Sequence, residues 1–250
     1  MSSYFDNSEA IDAWLQKRRS RFTSSENWKL LPNSKQGINQ LWSTTADTYI
    51  ESKVIELTTK MYERPQIEEV EALRHGKENE FPSYERYVKE TKNYSMTYMG
   101  DENPMFIPCK KLVNESGGTP DVGNIVTGVD EIKIDYGCEL KNPVNPAFHY
   151  RRLSWKTMWD VKEGYPSCYC QIQDLIRLTG AFGWDFVSHD ERQLAKPKQI
   201  VIIEIKPDPK FINNLEIRIE LAVKEKYKQL SKHMGVELKN KQDFLNFIKQ

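Results

Sequence analysis

The stretch from Ile132 to Lys141 constrains the fold more than any other part of the chain. Ile132, Ile134 and Tyr136 alternate with Lys133, Asp135 and Gly137, and the alternation runs on through Cys138-Glu139-Leu140-Lys141. A period of two marks a β-strand, because successive side chains leave a pleated backbone on opposite faces. A strand this long needs partners. Upstream, Gly117-Gly-Thr-Pro-Asp-Val-Gly123 reads as a loop feeding a second strand through Val126, which makes the two a hairpin. Ser95 to Met99 and Met105 to Leu112 read as short strands around the Gly100–Pro104 turn, and Gln199 to Lys206 as a buried strand.

Elsewhere the periodicity is helical. Asn7 or Ser8 can cap a helix carrying Ile11, Trp14, Leu15 and Arg18 on one face. Thr23-Ser-Ser-Glu26 has the spelling of a capping box, in which hydroxyl and carboxylate satisfy each other's backbone donors. Tyr49 to Met61 and Gln66 to His75 keep helical spacing on either side of Pro65. Gly76 then leads into a helix with Phe81, Tyr84 and Val88 on one face and Pro82 in its first turn. Trp155 to Trp159, Tyr169 to Leu178 and Asn213 to Met234 are helical again. With no separating linker and no repeat, the order predicts one α/β domain over residues 1–250.

Composition removes several classes of function. Lys plus Arg and Asp plus Glu both number 36, so no global field draws the chain to nucleic acid or acidic lipid. The longest apolar run, Ile200 to Ile203, is far short of the roughly 20 residues of a membrane span. Met1-Ser-Ser-Tyr opens no basic-then-apolar leader, so a cytoplasmic location is expected. Cys109, Cys138, Cys168 and Cys170 form no C-x₂-C pair; Cys168-Tyr-Cys170 is a weak candidate for a soft metal. Phosphate-loop, dinucleotide-binding and nucleophile-elbow signatures are absent.

Chemistry concentrates in Pro120-Asp121, Glu139-Leu-Lys141 and Gln171-Ile-Gln173. On a strand, Glu139 and Lys141 share a face while Leu140 points to the core. If Asp121 begins the neighbouring strand, two carboxylates and an ammonium converge. Two carboxylates and a backbone carbonyl suit Mg²⁺, which keeps several waters, and the ammonium can neutralise charge on a phosphate. Glu131-Ile-Lys133 and Glu204-Ile-Lys206 share the spelling. Glu139 is preferred because Pro143 marks a strand exit there, where sites usually sit.

The ordered set Arg18…Thr23-Ser-Ser-Glu26, Gly76-Lys-Glu-Asn-Glu80, Thr119-Pro-Asp121, Glu139-Leu-Lys-Asn-Pro143 and Gln171-Ile-Gln173 resembles the lambda exonuclease / YqaJ family. These are viral and phage recombination nucleases of the PD-(D/E)xK superfamily, with a restriction-endonuclease-like α/β core. The resemblance implies that Asp121, Glu139 and the Leu140 carbonyl hold Mg²⁺, with Mn²⁺ able to substitute. It implies Lys141 as catalytic ammonium, Glu80 as a further acidic partner, and Gln171 as the residue placing the attacking water or Lys141. Arg18 and Ser25 resemble a pocket for a 5′-terminal phosphate, and Thr119 keeps the hydroxyl of the family's S-P-D. A helix N-terminus at Ser25 would add to the attraction of an anion. The family's arginine after E-L-K-C-P is replaced by Ala147, with Arg151 and Arg152 the nearest bases. Expected partners are double-stranded DNA ends, two further copies in a ring-shaped homotrimer, and a single-strand-annealing protein, without a membrane.

Overall fold

The computed structural model describes residues 8–34, 41–59, 71–100, 104–127 and 132–249. The expectations for Asn7, Met61, Pro65, Gln66 and Glu131 fall outside them. The chain opens with helix α1 (Ser8–Arg18), the two-residue strand β1 (Phe22–Thr23) and a short 3-10 helix (Asn27–Leu30). Helices α2 (Thr44–Thr58), α3 (Glu71–Glu78) and α4 (Glu80–Thr91) follow, then strands β2 (Met96–Tyr98), β3 (Ile107–Pro108) and β4 (Ser116–Gly118). The hairpin is β5 (Val122–Thr127) and β6 (Ile132–Lys141). After it come α5 (Pro146–Arg152), α6 (Met158–Gly164), α7 (Pro166–Thr179), β7 (Gly183–His189), β8 (Ile200–Ile205), α8 (Pro209–Met234) and α9 (Lys241–Phe247).

The main sheet has the order β2-β5-β6-β7-β8, antiparallel throughout except for the parallel pair β6–β7. Its two faces read off alternate residues. Ile134, Trp184, Phe186, Ile203 and Ile205 pack against Ile172, Leu175 and Ile176 of α7. Met96, Val122, Cys138, Leu140 and Val187 lie against Tyr87 of α4. Burying a large aliphatic or aromatic side chain stabilises by about 1.5–3 kcal/mol, so these two layers hold the sheet between helices. Gly137 is required by this packing: a Cβ there would lie 2.3 Å from the Trp184 ring across the pair. A third cluster joins α2 and α8 to the N-terminal segment through Phe22, Leu30, Ala46, Ile50, Leu215 and Ile219.

Several expectations change. Strand β7 was not foreseen, and it makes β6 central, so the face that carries Glu139 is buried as well as the face that carries Leu140. Gly117 and Gly118, expected in a loop, lie in β4, which pairs with both β1 and β3. Gly76 lies within α3 and does not break it; Asn142 reaches its carbonyl. Trp155–Trp159 gives way to α5 and α6 on either side of a turn. Thr23 caps no helix. It sits in β1, where Tyr49 hydroxyl accepts its N–H, and its own hydroxyl is buried without a partner. Cys168 and Cys170 point to different clusters, as two helical residues 200° apart must, so they cannot share a metal. Among the described residues no helix is long and apolar enough to cross a membrane.

Candidate active site

The β5–β6 ladder ends at Val122 paired with Cys138, and the Asp121 side chain takes over beyond it. Leu140 N–H donates to Asp121 Oδ2 at 2.9 Å. The carboxylate is thus fixed beside the strand that carries Glu139 and Lys141, as the spacing required. Glu139 is 0% exposed. Its Oε1 receives the Lys141 ammonium, whereas Oε2 is buried with no hydrogen-bond partner. Burial, with the Asp121 charge second, pushes the Glu139 carboxyl up to about 8, against the pull of Lys141. Burial opposes the Lys141 charge as well, but Glu139 beside it holds the ammonium well above its ordinary range.

An unsatisfied, desolvated carboxylate oxygen next to a second carboxylate is an electrostatic demand that a cation answers. Asp121 and Glu139 therefore fit a hard divalent ion, with the Leu140 backbone at the same strand end. Among the described residues no group of three or more His, Cys, Asp and Glu side chains is arranged to hold a metal ion. Two carboxylates suit Mg²⁺, which fills its remaining positions with water and substrate oxygens, better than a site built wholly of protein ligands.

Glu80 opens α4 and accepts from Tyr98 hydroxyl at 3.0 Å. The next residue, Met99, donates its N–H to the Asp121 carbonyl at 2.8 Å, which places Glu80 close along β2. Gln171 lies on α7 one turn beyond Cys168, a thiol pushed up to about 12 chiefly by burial and close enough to feel Lys141, Glu139 and Asp121. Gln173 is turned elsewhere. It donates to the Lys206 carbonyl and accepts from Asp208 N–H, tying α7 to the β8–α8 corner. Glu204 near the end of edge strand β8 pairs with Lys206 just beyond it, with side chains 49% and 53% exposed, a solvent-facing bridge and no rival site.

Arg18, Ser25 and Thr119 are brought together. Trp14 Nε1 donates to Thr119 Oγ1 at 2.9 Å, Arg18 stacks on Trp14 at 4.6 Å, and Arg18 donates to Ser25 Oγ at 3.3 Å. Thr119 in turn stands two residues before Asp121. The helix-terminus argument for Ser25 is corrected: Ser25 precedes a one-turn 3-10 helix, and Glu26 N–H is already spent on the Thr23 carbonyl. What the structure gathers here is the Arg18 guanidinium and the Ser25 and Thr119 hydroxyls.

The sequence named Arg151 and Arg152 as the bases nearest the lost arginine but did not show the opposite wall they help to form, with Ser188 and His149. Ser188 of β7 pairs in register with Lys141. Its hydroxyl accepts from Arg152 at 3.2 Å and lies 3.0 Å from His149 Nδ1. His149 Nε2 faces the Lys198 carbonyl at 2.8 Å, so that nitrogen carries the proton and donates. Arg152, 7% exposed, lies over the Tyr165 and Phe186 rings, and burial lowers its pKa. Among the described residues, Arg151, Arg152, Lys141, Trp155 and Tyr165 bound a cavity of about 360 Å³ whose lining has no carboxylate. The signal in the sequence was the pair of arginines after Ala147; placing them needed β7.

No protein-family model matches the chain, and no curated protein sequence matches it. Its fold is shared with solved nucleases. An alkaline exonuclease (LHK-Exo) from Laribacter hongkongensis superposes with a TM-score of 0.68 at 20% identity, covering 89% of this chain and 96% of that one. LHK-Exo in complex with dAMP gives 0.66 at 20% identity, covering 88% and 95%. A phage related exonuclease from Haemophilus somnus 129PT gives 0.60 at 14% identity, covering 86% and 96%. The chain therefore shares the fold of these exonucleases, a mixed sheet between helices, as the α/β expectation required.

Proposed function

We propose that this protein is a Mg²⁺-dependent deoxyribonuclease that degrades double-stranded DNA from 5′-phosphorylated ends, 5′→3′, leaving single-strand overhangs for recombination. The observation that carries the reading is the buried, unpartnered Glu139 oxygen beside Asp121, with the Lys141 ammonium against it, at one sheet end. Shared architecture with two exonucleases, one of them solved with dAMP, is in keeping with it.

In this reading Asp121, Glu139 and the Leu140 carbonyl hold the ion. When bound, Mg²⁺ supplies an activated water and charge neutralisation at the phosphate. Lys141 places a positive charge where the scissile phosphate accumulates negative charge, a contribution made mainly in the transition state. Glu80 and Gln171 flank this point and orient water. Arg18, Ser25 and Thr119 grip the terminal phosphate on the β5 side, and Arg151 and Arg152 stand on the β7 side as basic wall for the strand beyond the scissile bond. A ring-shaped homotrimer around the duplex and an annealing protein receiving the overhang complete the proposal. Both rest on the family resemblance.

The test is digestion of end-labelled linear duplex and covalently closed circular duplex, each with and without Mg²⁺. Mononucleotides released from linear DNA only, and only with the ion, are expected. Cutting of closed circles would replace the reading by an endonuclease on the same core. Binding of ends without cleavage under any divalent ion would make it a non-catalytic end-binding protein.

A further inference from the structure

The turn joining α1 to β1 puts Ser20 in the left-handed region, at φ +62°. Helices commonly give this position to glycine, because an L side chain is crowded there. Ser20 gains nothing from its own side chain in return, since its hydroxyl is fully buried without a partner. The backbone is held from two other helices instead. Glu56 of α2 accepts the Ser20 N–H at 2.5 Å, and Lys226 of α8 donates to the Ser20 carbonyl at 3.0 Å. Each holder is buried and itself paired: Glu56 with Lys53 at 2.8 Å, and Lys226 with Glu115, whose other oxygen takes the Tyr227 hydroxyl at 2.6 Å. Arg19 adds bonds to the Glu56 and Thr59 carbonyls. A strained residue persists only where its surroundings over-determine it, and these charged groups do so.

The turn has a direct geometric effect. Arg21 N–H returns to the Arg18 carbonyl at 3.1 Å, the chain reverses, and Ser25 comes back against the Arg18 guanidinium. We infer that Glu56 and Lys226, acting through the Ser20 turn, are positioning residues for end recognition: they fix the separation of Arg18 from Ser25. The inference rests on the reading of those two residues as the terminal-phosphate pocket. Glu56 and Lys226 touch no DNA in it. Loosening the turn leaves Asp121, Glu139 and Lys141 on their strands and lets Arg18 drift from the hydroxyl it works with.

The experiment compares digestion rates of 5′-phosphorylated and 5′-hydroxyl duplex, together with melting temperature, for the full chain and four variants. Glu56→Ala is expected to lower the phosphate-to-hydroxyl rate ratio about tenfold, the scale on which small misplacements act, with the 5′-hydroxyl rate within about twofold of wild type. Glu56→Gln, whose amide oxygen can still accept from Ser20, should restore most of the ratio. Ser20→Gly, which takes positive φ freely, should keep it. Arg19→Ala cuts two anchors near the surface and should lower the ratio in the same direction, which preserves the test if Glu56→Ala does not fold. An unchanged ratio in folded Glu56→Ala or Arg19→Ala, with only the melting temperature reduced, overturns the inference and leaves the pocket standing. A wild-type protein indifferent to the terminal group overturns the pocket and the inference together.

Discussion

At the scale of single residues, Glu139 is held in a state few proteins maintain: an acid with no access to water, one oxygen unsatisfied, its neighbour another acid. Native folds retain such groups where function requires them. Asp121→Asn and Glu139→Gln should each lower cleavage by about 10²–10³-fold or more while leaving duplex-end binding within about threefold, measured by filter binding in Ca²⁺. Lys141→Ala should lower turnover by a similar factor. Loss of end binding in step with cleavage would show that these residues hold DNA rather than the ion. Glu204→Ala, on the exposed bridge of β8, should cleave normally. Arg152 supports a separate prediction, since its guanidinium lies over rings and reaches Ser188. A lysine keeps the charge but neither the plane nor the fork. Arg152→Lys should therefore reduce turnover on duplex about tenfold, and a turnover equal to wild type would remove Arg152 from the basic wall.

Among the elements, β6 was legible because its residues alternate in type, and β5 because a Gly- and Pro-rich loop led into it. Strand β7 was not legible. All seven of its residues are buried, so no polar face alternates with an apolar one, and the sequence interleaves Trp184 and Phe186 with Asp185, Ser188 and His189. Each of those polar groups has a partner far along the chain: Asp185 takes the hydroxyls of Tyr87 and Tyr136, and His189 meets Ser83. Local pattern cannot reveal a polar residue satisfied at that distance. The same holds for Thr23, whose capping-box spelling was overruled by pairing of β1 with β4. The carboxylates and Lys141 were legible because a single hairpin brings them together; the Arg152 wall was not, because it needs the strand the pattern hid. Helix α8 offers a check with a definite sign. Its N-cap Asp208 accepts from Phe211 N–H at 3.1 Å and Lys162 at 2.9 Å; burial opposes its charge, but Lys162 and the cap hold the carboxyl below its ordinary range. A depressed acid stabilises above its unfolded pKa, and that contribution is lost as pH falls through the lower folded value. Asp208→Ala should thus cost about 1 kcal/mol at pH 7, with the difference from wild type shrinking in melts taken below about pH 3.5. A difference as large in acid as at neutrality would show that the carboxylate's charge is not what stabilises the helix.

For the molecule as a whole, a chain with equal numbers of acidic and basic residues that binds DNA as proposed must localise its attraction for it. The described site does this with Arg18 on one side of the carboxylates and Arg151 and Arg152 on the other. Few phosphates are then engaged per copy, and binding by a single copy should weaken only modestly with salt. If three copies encircle the duplex, sedimentation should give the mass of three chains, and the slope of log affinity against log salt should be correspondingly steep. A monomer with a shallow slope would leave the nuclease but remove the ring. The span of the Ser20 clamp carries a consequence for how the protein is made. Asp121 and Leu140 lie 19 residues apart and can meet as soon as their hairpin leaves the ribosome, whereas Lys226 reaches back 206 residues to Ser20. If the proposed function holds, a nascent chain would own the carboxylates of its chemistry well before it could tell one kind of DNA end from another. On the proposed reading, discrimination waits until α8 has emerged and Lys226 can reach Ser20.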